Sequence, residues 1–130
     1  MAHNLTGKKI VVTGGARGIG AAVVRSLATQ GPAAIVIGYA TRKDAADALI
    51  DEIQQKHGSS IALTSVGGAV SDQASAQAFA TSALQALGGE LDVLMNVAGT
   101  AEQKSLAAIS QADHDTHFRP AENLLHLPRR

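Results

Sequence analysis

Thr13-Gly14-Gly15-Ala16-Arg17-Gly18-Ile19-Gly20 follows the apolar run Ile10-Val11-Val12 and opens onto Ile19, Val23, Val24 and Leu27. Those four residues stand at helical spacing, so the stretch reads as a strand, a glycine turn and a helix. Glycine allows the tight turn and lets a pyrophosphate approach the backbone with no Cβ in the way. The helix that follows offers unpaired N–H groups and a partial positive charge to phosphates. The arrangement suits a dinucleotide, although Gly14-x3-Gly18-x-Gly20 is not the commoner G-x-G-x-x-G spacing.

A second motif lies downstream. Leu91-Asp92-Val93-Leu94-Met95 is an apolar run that ends in Asn96-Val97-Ala98-Gly99. The pair T-G-x3-G-x-G and N-x-A-G, in this order and each after a strand-like run, resembles the short-chain dehydrogenase/reductase family from about Gly7 to Phe118. The resemblance implies an α/β fold, a Rossmann-type doubly wound parallel sheet of strand order 3-2-1-4. It places a nicotinamide cofactor in the crevice where that order reverses, between the ends of the first and fourth strands. The cofactor set it implies is Thr13, Gly14, Gly15, Arg17, Gly18, Ile19, Gly20, Tyr39, Arg42, Asn96, Ala98 and Gly99.

Alternation of patterns carries the same architecture without the family. The expected order is a strand at Lys8–Thr13, a helix at Gly18–Gln30, a strand at Ala33–Tyr39 and a helix at Lys43–His57. A strand at Ser60–Val66, a helix capped by Ser71 or Asp72, a strand at Leu91–Asn96 and a weaker helix at Ser105–Phe118 follow. The second helix is expected to turn Ala45, Ala48, Leu49 and Ile53 inward. The third shows the clearest 3.6-residue pattern: Ala76, Phe79, Ala80, Ala83, Leu84 and Leu87. Strands and helices that alternate with short connections imply right-handed crossovers and a parallel sheet covered on both faces.

Composition excludes other classes. Basic and acidic residues balance at 11 each, so no broad positive field invites nucleic acid or a membrane surface,. Cysteine is absent, which rules out a disulfide framework and a thiol nucleophile,. No apolar run approaches the ~20 residues of a membrane span. The first residues lack the apolar stretch of a secretory leader, so a cytoplasmic location is expected. His114 and His117 lie three apart beside Asp113 and Asp115. No third ligand is evident, and the run is read as a solvated surface rather than a metal site.

The cofactor is expected to be NADP rather than NAD. An NAD site places a carboxylate about 20 residues beyond the glycine turn to bind the ribose 2′-hydroxyl. Here Tyr39 stands 19 residues after Gly20 and bears no charge to repel a 2′-phosphate. Arg17 lies in the loop, and Arg42-Lys43 follow the second strand; a guanidinium can pair with a phosphate through two bonds.

The chain also departs from the family. Where the family often has an Asp that binds the adenine amino group, this chain has Ala69, with only backbone from Val70 to offer. Family reductases act through a Tyr general acid/base, a Lys one helical turn on, a Ser and a helix Asn, most of them after a fifth strand. Tyr39-Ala40-Thr41-Arg42-Lys43 matches Y-x-x-x-K, but it ends the second strand at the adenosine side, where it is not catalytic. Asn123 matches the helix Asn only if two extra residues are allowed. Residues 1–118 are expected to form the nucleotide-binding unit. Pro120 is expected to stop the last helix, and residues 119–130 to form an irregular tail resembling out-of-frame sequence, as in a truncated or frameshifted product. Three readings follow: an oxidoreductase on small carbonyl or alcohol substrates from a family usually homo-oligomeric, a nucleotide-binding module without catalysis, or an inactive fragment. The substrate is not legible.

Overall fold

The computed structural model describes residues 4–99 and 103–125. Four parallel strands form one sheet in the order β3-β2-β1-β4: β1 Lys9–Thr13, β2 Ala34–Tyr39, β3 Ala62–Gly67 and β4 Val93–Asn96. Helices α1 Gly18–Ala28, α2 Lys43–His57 and α3 Gln73–Ala86 alternate with the strands; a 3-10 turn at Leu106–Ala108 and α4 Gln111–Leu125 follow. The expected sheet order and Rossmann-type fold are the observed ones.

Side-chain alternation explains the two layers. Ile10 and Val12 of β1, with Ile35 and Ile37 of β2, point to one face and pack with Val24 and Leu27 of α1 and Leu49 and Ile53 of α2. Val11 and Val36 point to the other face and meet Ala76, Phe79 and Ala83 of α3. A strand buried on both faces must be apolar at every position, and Ile10-Val11-Val12 and Ile35-Val36-Ile37 are,. β1 lies in register between β2, with Val11 opposite Val36, and β4, with Val11 opposite Leu94. No helix among the described residues is long and apolar enough to cross a membrane.

Several inward faces differ from expectation. Ile19 is 77% exposed, because it stands in the first turn of α1 above the sheet's edge rather than over it. On α2, Ala46 is buried, while Ala45 is half-buried and Ala48 exposed. Similar small side chains give the periodicity little to distinguish them. The helix expected at Ser105–Phe118 starts later: Ser110 and Asp113 cap each other's backbone N–H groups at 2.8 and 3.2 Å, which sets the start of α4,.

Pro120 does not stop α4, and the segment expected to be irregular is helical through Leu125; residues 126–130 lie outside the described residues. Proline removes one helical N–H donor and crowds the carbonyl four residues back, here Thr116. Tertiary contacts beyond the proline offset that cost. Leu124 is buried with Val70, Phe79 and Ala83. The Asn123 side chain donates to the Val70 carbonyl at 3.0 Å, and Asn96 donates to the Ala121 carbonyl at 3.2 Å.

Candidate nucleotide-binding site

Beyond their ladder, the carboxyl ends of β1 and β4 are tied together by one hydroxyl. Thr13, 2% exposed, donates from Oγ1 to Asn96 Oδ1 at 3.2 Å and accepts from the backbone N–H groups of Val97 and Ala98 at 3.0 Å each. This draws the Asn96–Gly99 loop over the glycine turn. The approach is close enough that a Cβ on Gly14, which has a φ of 61°, would lie 2.9 Å from the Ala98 Cα. A Cβ on Gly20 would stand 1.8 Å from the Gly14 carbonyl oxygen, inside any permitted contact. Gly18 is the opposite case: its φ is 53° and nothing lies within 4 Å of a built Cβ. Two of the loop's glycines thus serve close backbone packing, and a third leaves open space at the start of α1.

α1 begins without a side-chain cap. Its N-cap is Arg17, which forms no side-chain capping bond, and its first turn holds no acidic residue. α3 differs: Asp72 caps it by accepting from the Ser75 N–H at 2.8 Å, a bond that holds the Asp72 carboxyl below its ordinary range. Among the described residues no side chain caps the first N–H groups of α1, and Gly18, Ile19 and Gly20 line an adjoining crevice of about 760 Å³,. That is the size of a small-molecule site.

Ten of the sequence-derived residues line this crevice: Thr13, Gly14, Arg17, Gly18, Ile19, Gly20, Tyr39, Arg42, Ala98 and Gly99. Gly15, Asn96 and Asn123 do not. Gly15 packs α1 on the sheet, where a Cβ would press Ile37 and Val24 at 3.2 and 3.3 Å, and its N–H donates to the Gly38 carbonyl at 2.9 Å. Asn96 spends its amide on Thr13 and Ala121. Asn123 is tied to Val70.

Beyond the end of β2 the crevice is lined by Tyr39, Arg42, Gly68, Ala69 and Val70. The Tyr39 ring lies over Gly67, where a Cβ would stand 2.8 Å from it. Arg42 binds Asp44 through two parallel bonds, Nε to Oδ1 and Nη2 to Oδ2, both 2.9 Å. That guanidinium holds the Asp44 carboxyl at about 2, below its ordinary 3.8. Lys43, the partner of Tyr39 in the Y-x-x-x-K match, is engaged by Asp47, which also accepts from Ser65 Oγ at 3.1 Å. Arg17 forms no ion pair among the described residues.

The sequence reading missed Gly38, Phe79, Thr116 and Pro120 as parts of the wall. Gly38 carried a signal, since glycine inside a strand marks close approach; a Cβ there would meet the Phe79 ring at 2.8 Å. His114 stacks on Phe118 with ring centroids 4.7 Å apart, and His117 Nδ1 donates to the Asp113 carbonyl at 2.7 Å. Among the described residues, no group of three or more His, Asp or Glu is placed to hold a metal.

Comparison with known proteins agrees with this geometry. Residues 8–120 match the short chain dehydrogenase family. An uncharacterized oxidoreductase of Methylorubrum extorquens is 41% identical over 115 residues, 88% of this chain and 43% of that protein. A probable tetrahydroxynaphthalene reductase of Zymoseptoria tritici is 35% identical over 115 residues, covering 88% of this chain and 41% of its own length. Among solved structures, a dehydrogenase/reductase from Sinorhizobium meliloti superposes with a TM-score of 0.80 at 31% identity, over 94% of this chain and 48% of that one. A blue fluorescent protein from a metagenomic library, solved with NADPH, gives a TM-score of 0.79 at 32% identity, over 95% and 50%. A parallel sheet of order β3-β2-β1-β4 with a glycine loop at its switch point defines a Rossmann-type α/β protein,. The chain belongs to the short-chain dehydrogenase family, and it spans less than half the length of these two curated relatives.

Proposed function

We propose that this chain binds NADP(H), with the pyrophosphate at the start of α1 and the adenosine 2′-phosphate between Arg17 and Arg42, as part of an NADP-dependent short-chain oxidoreductase acting on a carbonyl/alcohol pair. The observation that carries the reading is the glycine loop: Gly14 and Gly20 packed too closely for any side chain, and Gly18 open beside an uncapped helix start. The loop is held by Thr13 against Ala98 in a crevice whose charged wall residues, among those described, are Arg17 and Arg42. The blue fluorescent protein's structure holds NADPH, and a Burkholderia cenocepacia short chain dehydrogenase, 28% identical with a TM-score of 0.79, was solved with NADP. Titration calorimetry tests the proposal. NADPH should bind more tightly than NADH, and Arg17→Ala should narrow the gap by about 1–3 kcal/mol, the scale of a lost charge-assisted bond. Equal affinities would refute it.

A second reading, nucleotide binding without catalysis by this chain, is favoured by one specific observation. Its single tyrosine, Tyr39, ends β2 on the adenosine side, and the lysine four residues on is held by Asp47. The purified 130-residue chain should therefore show no NADPH-dependent carbonyl reduction above buffer. Turnover abolished by Tyr39→Phe would reverse this assignment.

A further inference from the structure

Resting on the NADP reading above, we infer that Asp44 is a positioning residue that weakens discrimination for a 2′-phosphate by keeping Arg42 engaged. The two arginines of the crevice wall are in unequal states. Arg17 forms no ion pair among the described residues. Arg42 is held along its Nε/Nη2 edge by Asp44, at 2.9 Å for both bonds. A guanidinium grips an oxyanion through paired N–H groups on one edge, and one such edge is taken. Asp44 itself is not part of the crevice wall, so its effect runs through its hold on Arg42 and its charge beside that guanidinium.

The neighbouring cation is held in the same way. Lys43 pairs with Asp47, whose other oxygen accepts from Ser65. Both cations that follow β2 are thus neutralised by carboxylates in the first two turns of α2, and Asp44 lies where the helix dipole favours an anion,. A phosphate dianion arriving at Arg42 must share it with Asp44 and bear the repulsion of that carboxylate. A ribose 2′-hydroxyl meets neither cost. The Arg42 and Asp44 side chains are 51% and 70% exposed. Such a pair is weak in itself, and a ligand can exchange for it.

The test is Asp44→Asn in the whole chain, with NADPH and NADH titrated in parallel. The amide keeps the shape and removes the charge. NADPH affinity should rise about three- to tenfold at low salt, the scale of one solvent-exposed charge interaction, while NADH changes less than about twofold. Arg42→Ala should cost NADPH binding more in the Asp44→Asn background than in the parent, a coupling that a double-mutant cycle reads directly. The gain should shrink as salt is raised. Unchanged or weaker NADPH binding by the variant, with NADH binding intact, would overturn the inference. So would an equal change for both nucleotides, which marks a structural role. Should the asparagine variant fold poorly, Asp44→Ser makes the same comparison. If the parent chain binds neither nucleotide, the NADP reading fails first and the inference falls with it.

Discussion

The two walls of the crevice are built differently. β1, β2 and α1 form one wall, and their side chains Ile10, Val12, Ile35, Ile37 and Val24 are fully excluded from solvent. The loop that β4 carries, with Thr116 and Pro120 of α4, forms the other. Val93, Leu94 and Met95 are only half-buried, Asn96 is exposed, and among the described residues β4 pairs with β1 alone. The first wall is held by continuous apolar packing on both sheet faces. The second is held by the β1–β4 ladder, by partial apolar packing of Val93, Leu94 and Met95, by polar bonds from Thr13, Asn96 and Asn123, and by the buried Leu124. Packing of the first kind places the glycine loop rigidly. Attachment of the second kind can be weakened one bond at a time.

Substitutions on either side break or sharpen that contrast. Gly20→Ala should have the largest effect. With a Cβ 1.8 Å from the Gly14 carbonyl the turn must open, costing about 3 kcal/mol or more, the upper range of overpacking,. A denaturant midpoint close to the parent's would show that the first wall is looser than its geometry. Leu124→Ala comes next. A buried leucine truncated to alanine costs about 2–5 kcal/mol; 2 is expected here, because α4 can undock without melting the sheet. Hydrogen exchange should then rise in α4 and leave β1 and β2 protected, and a uniform rise across all strands would erase the distinction between the walls. Thr13→Val should cost about 1–3 kcal/mol through the orphaned Val97 and Ala98 N–H groups, with Thr13→Ser milder. Thermal melts of the two variants decide it.

The smallest effect concerns acid. Lys104, at 2.6 Å, and then the Ser110 N–H and hydroxyl hold the Asp113 carboxyl at about 2, below its ordinary 3.8. The folded chain therefore binds that proton more weakly than the unfolded one. The stabilisation is complete above the ordinary value and is lost as pH falls through about 2. The carboxyl is partly buried at the start of α4, where all its bonds lie, so that turn should respond first. Carboxyl NMR shifts of Asp113, followed with the Ser110 amide, should titrate together in that window. A titration near 3.8 would remove the capping interaction from the account.

The same contrast explains what the sequence made legible. α2 coincides with its expected bounds, and β1 and β2 lie within one residue of theirs. Each depends on local pattern: an apolar run buried on both faces, or a periodicity ended by glycine. The glycine loop was legible because backbone crowding at Gly14 and Gly20 excludes every other residue. Errors gather where long-range contacts decide. Pro120 argues for a helix end by its own chemistry, yet Leu124, Asn123 and Asn96 hold the turns around it through contacts 25 to 53 residues away in sequence. Ile19 matched the helical stripe, but a stripe gives direction and not depth, and at the first turn there is no sheet beneath it. The Arg42–Asp44 pair was also not anticipated: Arg42 was read only toward a phosphate, and Asp44 was not considered. Spacing alone does not say whether a cation faces a ligand or its own neighbour.

Thr13 has one further consequence. A hydroxyl has one proton to give and two lone pairs to fill, and Asn96, Val97 and Ala98 occupy all three,. Its valence is saturated before any ligand arrives. Although Thr13 borders the crevice, it has no hydrogen-bonding capacity left for a phosphate oxygen. It acts as a rivet between two strand ends, fixing the gap that a nucleotide must fit while taking no polar part in holding it.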